Sequence, residues 1–320
     1  MSLIELMVAI TVGLILVAGL ATLFANSSQS GNELDKSIRQ MENGRYAVEL
    51  VTEDISVAGF YGELPIEGVA WSAPDPCATA LASLGWDNAT SAVPLYVTGL
   101  TAAQAGALTC LPNYKVGTAA LILRRLDTTA VAASSTASSS AYVQTSRCVS
   151  DPNATRFIVS STASDFTLRD LNCTAITQVR RYVSRIYYVA SCNECGVDTI
   201  PTLKRAEVYS GGMAVAPLSE GIDEVAFEYG FDTDGDGVPD VYRAGLSGVA
   251  AAADNDWSNV VATRMHVMSR STETSPGYTD GKTYSLGLAG TRGPFTDNFK
   301  RRVYSATARL NNPGGLREAP

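Results

Sequence analysis

The sequence predicts an α+β protein in which one long N-terminal helix packs on a large antiparallel β-rich head. Three observations carry that prediction. Leu6 to Ala25 contain no charged residue, and from Asn26 to about Ala58 apolar residues return at helical spacing with no proline before Pro65. Beyond Gly59 the chain breaks into short apolar or alternating runs separated by Gly, Pro, Asn and Ser clusters.

The first element, residues 1–25, is the membrane half of the helix. Its twenty uncharged positions span about 30 Å at 1.5 Å per residue, the thickness of a bilayer core. No Lys or Arg precedes the apolar run and it passes straight into a polar helical pattern, so it reads as a retained anchor rather than a cleaved secretory signal. Glu5 is an acid at the edge of the span, where a carboxylate needs either the headgroup layer or a partner.

The second element, residues 26–58, is amphipathic. Leu34, Ile38, Met41, Val48, Val51 and Ile55 form the apolar stripe, and Glu33, Asp35, Lys36, Arg39, Glu42 and Arg45 fill much of the opposite face. Gly13, Gly19, Gly31 and Gly44 are its points of local weakness. Read alone, a stripe of this kind packs against the protein's own core.

The third element, residues 59–320, is the head. Strand-like runs stand at Ala119–Leu123, Arg156–Val159, Ile186–Val189, Val225–Tyr229 and Val260–Met268. Thr128 to Ser140 lacks any large anchoring side chain and reads as an exposed loop or flexible insertion. With 320 residues the chain is long enough to bury a sizeable core. A net charge of −8 with no Lys/Arg-rich run argues against nucleic acid as a partner.

Six cysteines, all downstream of the apolar segment, point to disulfides in an oxidising compartment. Of fifteen pairings we expect nearest neighbours: Cys77 with Cys110, Cys148 with Cys173, Cys192 with Cys195. Zinc or a redox thiol pair competes at Cys192-Asn-Glu-Cys195, but no second pair stands at finger spacing to complete a coordination shell.

The sharpest chemical motif is Asp232-Thr-Asp234-Gly-Asp236-Gly-Val238-Pro-Asp240. Carboxylates at positions 1, 3, 5 and 9 with Gly237 at position 6 have the ligand spacing of a calcium loop, the Val238 carbonyl supplying position 7. Position 12 is Arg243 instead of Glu, so the expectation is a weak, non-EF site with Kd on the order of 10⁻⁴ to 10⁻³ M. A distant acid, Glu224, Asp254 or Asp256, would complete it; a solvated acidic turn is the alternative. The single histidine, His266, lies in an alternating strand-like run, and no nucleophile elbow, phosphate loop or dinucleotide fingerprint occurs, so no enzymatic activity is expected.

The string Met1-Ser-Leu-Ile-Glu5-Leu-Met-Val-Ala9 followed by an apolar helix closely resembles the start of mature type IV pilins, with Met1 where Phe is usual and without the basic leader ending in Gly. Further pieces resemble the PilW family of minor pilins: Gly44-Arg-Tyr-Ala-Val-Glu-Leu-Val-Thr-Glu-Asp-Ile-Ser-Val-Ala-Gly-Phe60, Arg185-Ile-Tyr-Tyr-Val189, Glu220-Gly-Ile, Tyr229-Gly-Phe-Asp232, Asp256-Trp-Ser-Asn-Val260 and Arg301-Arg-Val-Tyr304. The resemblance implies the type IV pilin fold, cleavage by a prepilin peptidase, N-methylation at Met1, and pairing of Glu5 with a neighbouring subunit's terminal amine. It implies a non-catalytic minor pilin, held in the inner membrane with a periplasmic head and then incorporated near the filament tip. There it would help initiate assembly with other minor pilins, the major pilin and a PilY-type tip adhesin. The alternatives are a pseudopilin of a type II secretion system and a membrane-tethered periplasmic binding protein or enzyme.

Overall fold

The computed structural model describes residues 2–64, 69–151, 156–209, 211–245 and 257–318. Helix α1 (Leu3–Val57) is a single unbroken element of 55 residues, opened by Ser2 and capped at Ala58. Its exit turn needs Gly59, whose φ of +76° L side chains rarely adopt and whose missing Cβ leaves room for Pro313 and Tyr96.

The head contains β1 (Ala70–Ser72), β2 (Ala92–Pro94), β3 (Val97–Leu100), β4 (Ala120–Val131), β5 (Tyr142–Thr145), β6 (Phe157–Ser160), β7 (Val179–Ala190), β8 (Thr202–Tyr209) and β9 (Gly212–Glu220). It continues with β10 (Ile222–Phe231), β11 (Val241–Arg243), β12 (Val260–Arg270), β13 (Tyr284–Ser285), β14 (Thr291–Arg292) and β15 (Arg301–Arg309). Among the described residues the head also carries two short helices, α2 (Ala102–Gly106) and α3 (Asn311–Glu318).

Two antiparallel sheets dominate. In the larger, β3, β4 and β7 lie side by side, and the far edge of β7 serves two neighbours in turn: β5 at Val179–Arg181, with β6 beyond it, and β8 at Arg185–Ala190, with β9 beyond it. The smaller sheet has the order β11-β10-β12-β15. The strands β7 and β12 are buried over most of their lengths on both faces, with Ile186–Ala190 an unbroken apolar run in β7. On β7, Tyr187 and Val189 enter the main core with Val51 and Ile55 of α1, while Ile186, Tyr188 and Ala190 face a second cluster with Leu100, Ala105 and Leu111.

The disulfides join Cys77–Cys110, Cys148–Cys173 and Cys192–Cys195, which is the nearest-neighbour pairing. The first two close separations of 33 and 25 residues, each worth about 3 to 4 kcal/mol in the chain-entropy view.

The expected loop at 128–140 is corrected in its first third. After an irregularity between Leu126 and Ala130 the β4 ladder resumes, pairing Ala130 with Arg180 and Val131 with Val179. The anchor is Val131, packed against a cluster of Tyr142, Phe166 and Val179. Beyond it, through a 3-10 turn at Ala133–Ser135, the segment is mostly exposed, at Ala132, Ser134, Ser135 and Ala137–Ser139.

Candidate functional site

The helix α1 lives in two environments. From Leu3 to Gly31 every residue is exposed, including Leu14, Ile15, Leu20, Leu23 and Phe24 at 63% or more. An apolar helix left bare over that length is solvated by lipid or by other chains. At its start, Ser2 accepts the Ile4 N–H at 3.3 Å and Glu5 accepts the Ser2 N–H at 2.8 Å, which fixes Glu5 over the first turn. Met1 lies outside the described residues.

Above Asn32 the helix joins the head through a series of contacts. Glu33 hydrogen-bonds Lys300 and, at 2.6 Å, Ser275. The Lys300 bond, then the Ser275 bond, draws the Glu33 carboxyl down to about 2. Gln40 donates to the carbonyls of Ser269 and Lys300 at 3.0 and 2.8 Å, bonding the helix to two adjacent strands' ends. At Gly44 the helix comes so close to β15 that a Cβ would stand 2.3 Å from the Tyr304 ring.

Higher still, Asp54 is buried between Arg125 (3.2 Å), Arg185 (2.9 Å) and the Tyr187 hydroxyl (2.9 Å). Arg185 also pairs with Glu207 at 2.8 Å. Burial pushes the Glu207 carboxyl up, but Arg185 and Arg181 outweigh it and leave the carboxyl below its ordinary value. Finally Asn312 of α3 donates to the Val57 and Ala58 carbonyls, closing orphan acceptors at the helix end.

The docked face therefore differs from the expected stripe. The buried residues are Gln40, Gly44, Ala47, Val51, Asp54 and Ile55, whereas Leu34 is 61% and Ile38 38% exposed. Close approach selects small residues at 44 and 47, and the two polar anchors find partners in the sheets, so an apolar count misses four of the six. The visible signal for Asp54 was an acid lying inside the Val51–Ile55 stripe.

In the acidic loop between β10 and β11, Asp232, Asp234 and Asp240 bring carboxylate oxygens within 4.8 Å of one another. Asp236 turns aside and accepts the Val238 N–H at 2.8 Å. Asp232 is 1% exposed and holds the Gly235 and Gly237 N–H groups at 2.7 and 2.9 Å and Arg317 at 3.0 Å. Burial raises its carboxyl, and Arg317 with the two backbone donors brings it below the usual range. Glu224 is corrected as the completing acid: it forms a two-pronged pair with Arg292 at 2.7–3.0 Å. Asp254 and Asp256 lie outside the described residues.

His266 sits on β12 with Nδ1 2.7 Å from the Ser305 hydroxyl and Nε2 3.1 Å from Glu228. Ser305 is its direct cross-strand neighbour in an unbroken register, far from the strained turn that presents a nucleophilic serine in hydrolases. Leu288 N–H and Arg264 occupy Glu228 at 2.8 and 2.9 Å, so the cluster is a satisfied polar ladder across three strands.

The bare apolar half of the helix is long and apolar enough to cross a membrane, and it is continuous with a half docked on the antiparallel head. Residues 186–312 match the model of the PilW family, "Type IV Pilus-assembly protein W". The similar pieces from Ile186 to Tyr304 fall inside that match, and Gly44–Phe60 lies outside it. Among solved structures, a type IV-like pilin from Thermus thermophilus aligns at 12% identity over 61% of this chain and 78% of that one, with a TM-score of 0.29. No curated protein matches the sequence. The PilW match supports a component of a type IV pilus with a structural role.

Proposed function

We propose that the chain is a non-catalytic minor pilin that helps initiate assembly at the tip of a type IV pilus. The observation that carries this reading is the division of one continuous helix into an exposed apolar half, Leu3–Gly31, and a docked half anchored at Gln40, Gly44 and Asp54. Before assembly the first half is solvated by the inner membrane with the head in the periplasm; afterwards it is packed among helices of other minor pilins and the major pilin. A prepilin peptidase exposes the amino terminus, Met1 is methylated, and Glu5 pairs with the terminal amine of a neighbour. A PilY-type adhesin is the tip partner. The size of the head suits a tip position rather than a repeated shaft position.

The test is Glu5→Ala in the native gene. Membrane levels of the protein should stay at the wild-type value while its recovery in sheared filaments, and the number of filaments, falls sharply. Wild-type piliation would defeat the assembly role, and lost secretion with normal piliation would transfer the reading to a type II pseudopilin.

For the acidic loop the proposed ligand is calcium, held by Asp232, Asp234 and Asp240, a reading supported by their convergence within 4.8 Å. Because Arg317 already neutralises Asp232, binding is expected to be weak, with Kd on the order of 10⁻⁴ to 10⁻³ M in titration calorimetry. Absence of heat, and of any calcium effect on thermal unfolding, would reduce the loop to a turn held by Arg317.

A further inference from the structure

The three disulfides are not equivalent. Cys192–Cys195, in the turn joining β7 to β8, spans three residues in sequence against 33 and 25 for the others. Cys195 falls in the exposed class, while Cys192 and Cys148 are buried and Cys77, Cys110 and Cys173 are half-buried. The turn is held rigid by Asp198, whose carboxylate accepts the N–H groups of Asn193, Glu194 and Ile200 at 2.8, 2.6 and 2.9 Å.

Beneath it lies Lys204 of β8, 7% exposed. Its Nζ is 3.0 Å from the Asn193 carbonyl and 3.6 Å from Cys195 Sγ. A buried ammonium normally finds a carboxylate. Here the atoms hydrogen-bonded to it are a carbonyl oxygen and a disulfide sulfur, and the Asp198 carboxylate of the turn is its charge partner at longer range. The Ser191 hydroxyl stands 3.8 Å from the other sulfur, Cys192 Sγ.

We propose that Cys192–Cys195 is a thiol–disulfide exchange site, built to accept an incoming thiolate at Cys195. The thiolate attacks Cys195 Sγ; the new S–S bond forms as the Cys195–Cys192 bond breaks, and the electron pair leaves on Cys192 Sγ, which takes a proton from water. A second thiol attacking the mixed disulfide releases the oxidised thiol pair and leaves two protein thiols, a balanced two-electron exchange. In the transition state negative charge spreads over three sulfurs in line. The Lys204 ammonium beside the central sulfur and the Ser191 hydroxyl beside the leaving one are placed where that charge develops.

The experiment exposes the full chain in detergent to graded reduced glutathione at mildly alkaline pH, quenches with acid, alkylates and maps the peptides. A parallel series uses a reduced thioredoxin-fold dithiol protein, to separate exchange with a small thiol from exchange with a protein thiol. Cys192 and Cys195 should be labelled first in at least one series, with Cys77–Cys110 and Cys148–Cys173 still closed, and the acid-trapped wild-type mixed disulfide should carry glutathione on Cys195 with Cys192 as the free thiol. Lys204→Met should slow opening about tenfold, the effect of losing one charge-assisted hydrogen bond, and Lys204→Arg should restore most of the rate. Labelling of the other two pairs in the same sample reports whether a variant is folded. Opening of either long-range disulfide first in both wild-type series overturns the proposal. So does an adduct on Cys192, or a wild-type rate in a folded Lys204→Met.

Discussion

Gly44 shows how a residue's ordinary preference is reversed by its neighbour. Mid-helix glycine costs about 1 kcal/mol relative to alanine, so Gly44→Ala would stabilise an isolated helix. Here the added methyl meets the Tyr304 ring carbons at 2.3 and 2.5 Å, an overlap whose relief costs about 1 to 3 kcal/mol. Gly44→Ala is therefore expected to lower the melting temperature, and in a double-mutant cycle its effect should shrink when Tyr304 is alanine. Asp54 is the polar counterpart. Removing it leaves Arg125, Arg185 and the Tyr187 hydroxyl without their shared acceptor. Asp54→Ala should cost about 3 to 5 kcal/mol in urea unfolding, and Asp54→Asn, which keeps an acceptor, less.

The helix α1 is docked more loosely at its base than at its top, and pH separates the two ends. Glu33 has a folded value of about 2, below the roughly 4.3 of a free glutamate. A depressed carboxyl contributes stability that is present above its unfolded value and is lost as pH falls, here between about 5 and about 2. Protection from amide exchange around residues 33–40, taken relative to the intrinsic rate at each pH, should fall over that window by the equivalent of about 1 kcal/mol, and Glu33→Gln should abolish that fall. The element was legible in part. Its length, exit near Ala58 and bare first half follow from charge and periodicity, and Val51 and Ile55 fell on the docked face. Leu34 and Ile38 did not, because the close contact is made by Gly44 and Ala47, with Gln40 as a polar tie, and the apolar side chains below it are left outward.

At the scale of the whole molecule, the change of period at Gly59 was enough to assign α+β and to find strands at Ile186–Val189 and Val260–Met268, but the alternating run around His266 hid that β12 is buried on both faces. Strand order was not legible. The β7 edge is divided between β5 and β8, and β15 reaches β12 across the β13–β14 hairpin; pairings at such separations leave no local trace. The acidic loop shows the same limit. Its spacing is visible in nine residues, yet the cation beside Asp232 is Arg317, contributed by α3 at the other end of the chain. Likewise Lys204 beside Cys195 comes from the strand after the turn, and nothing in Cys-Asn-Glu-Cys announces it.

The absence of any break in α1 has a mechanical consequence. A rod of 55 residues, about 80 Å long, is clamped at one end at several heights and free at the other. With the helix continuous through Gly13, Gly19 and Gly31, a pull on the head is passed along its axis to the apolar end. Under the proposed membrane seating, the subunit would leave the bilayer as a piston leaves its cylinder, its whole greased length sliding at once.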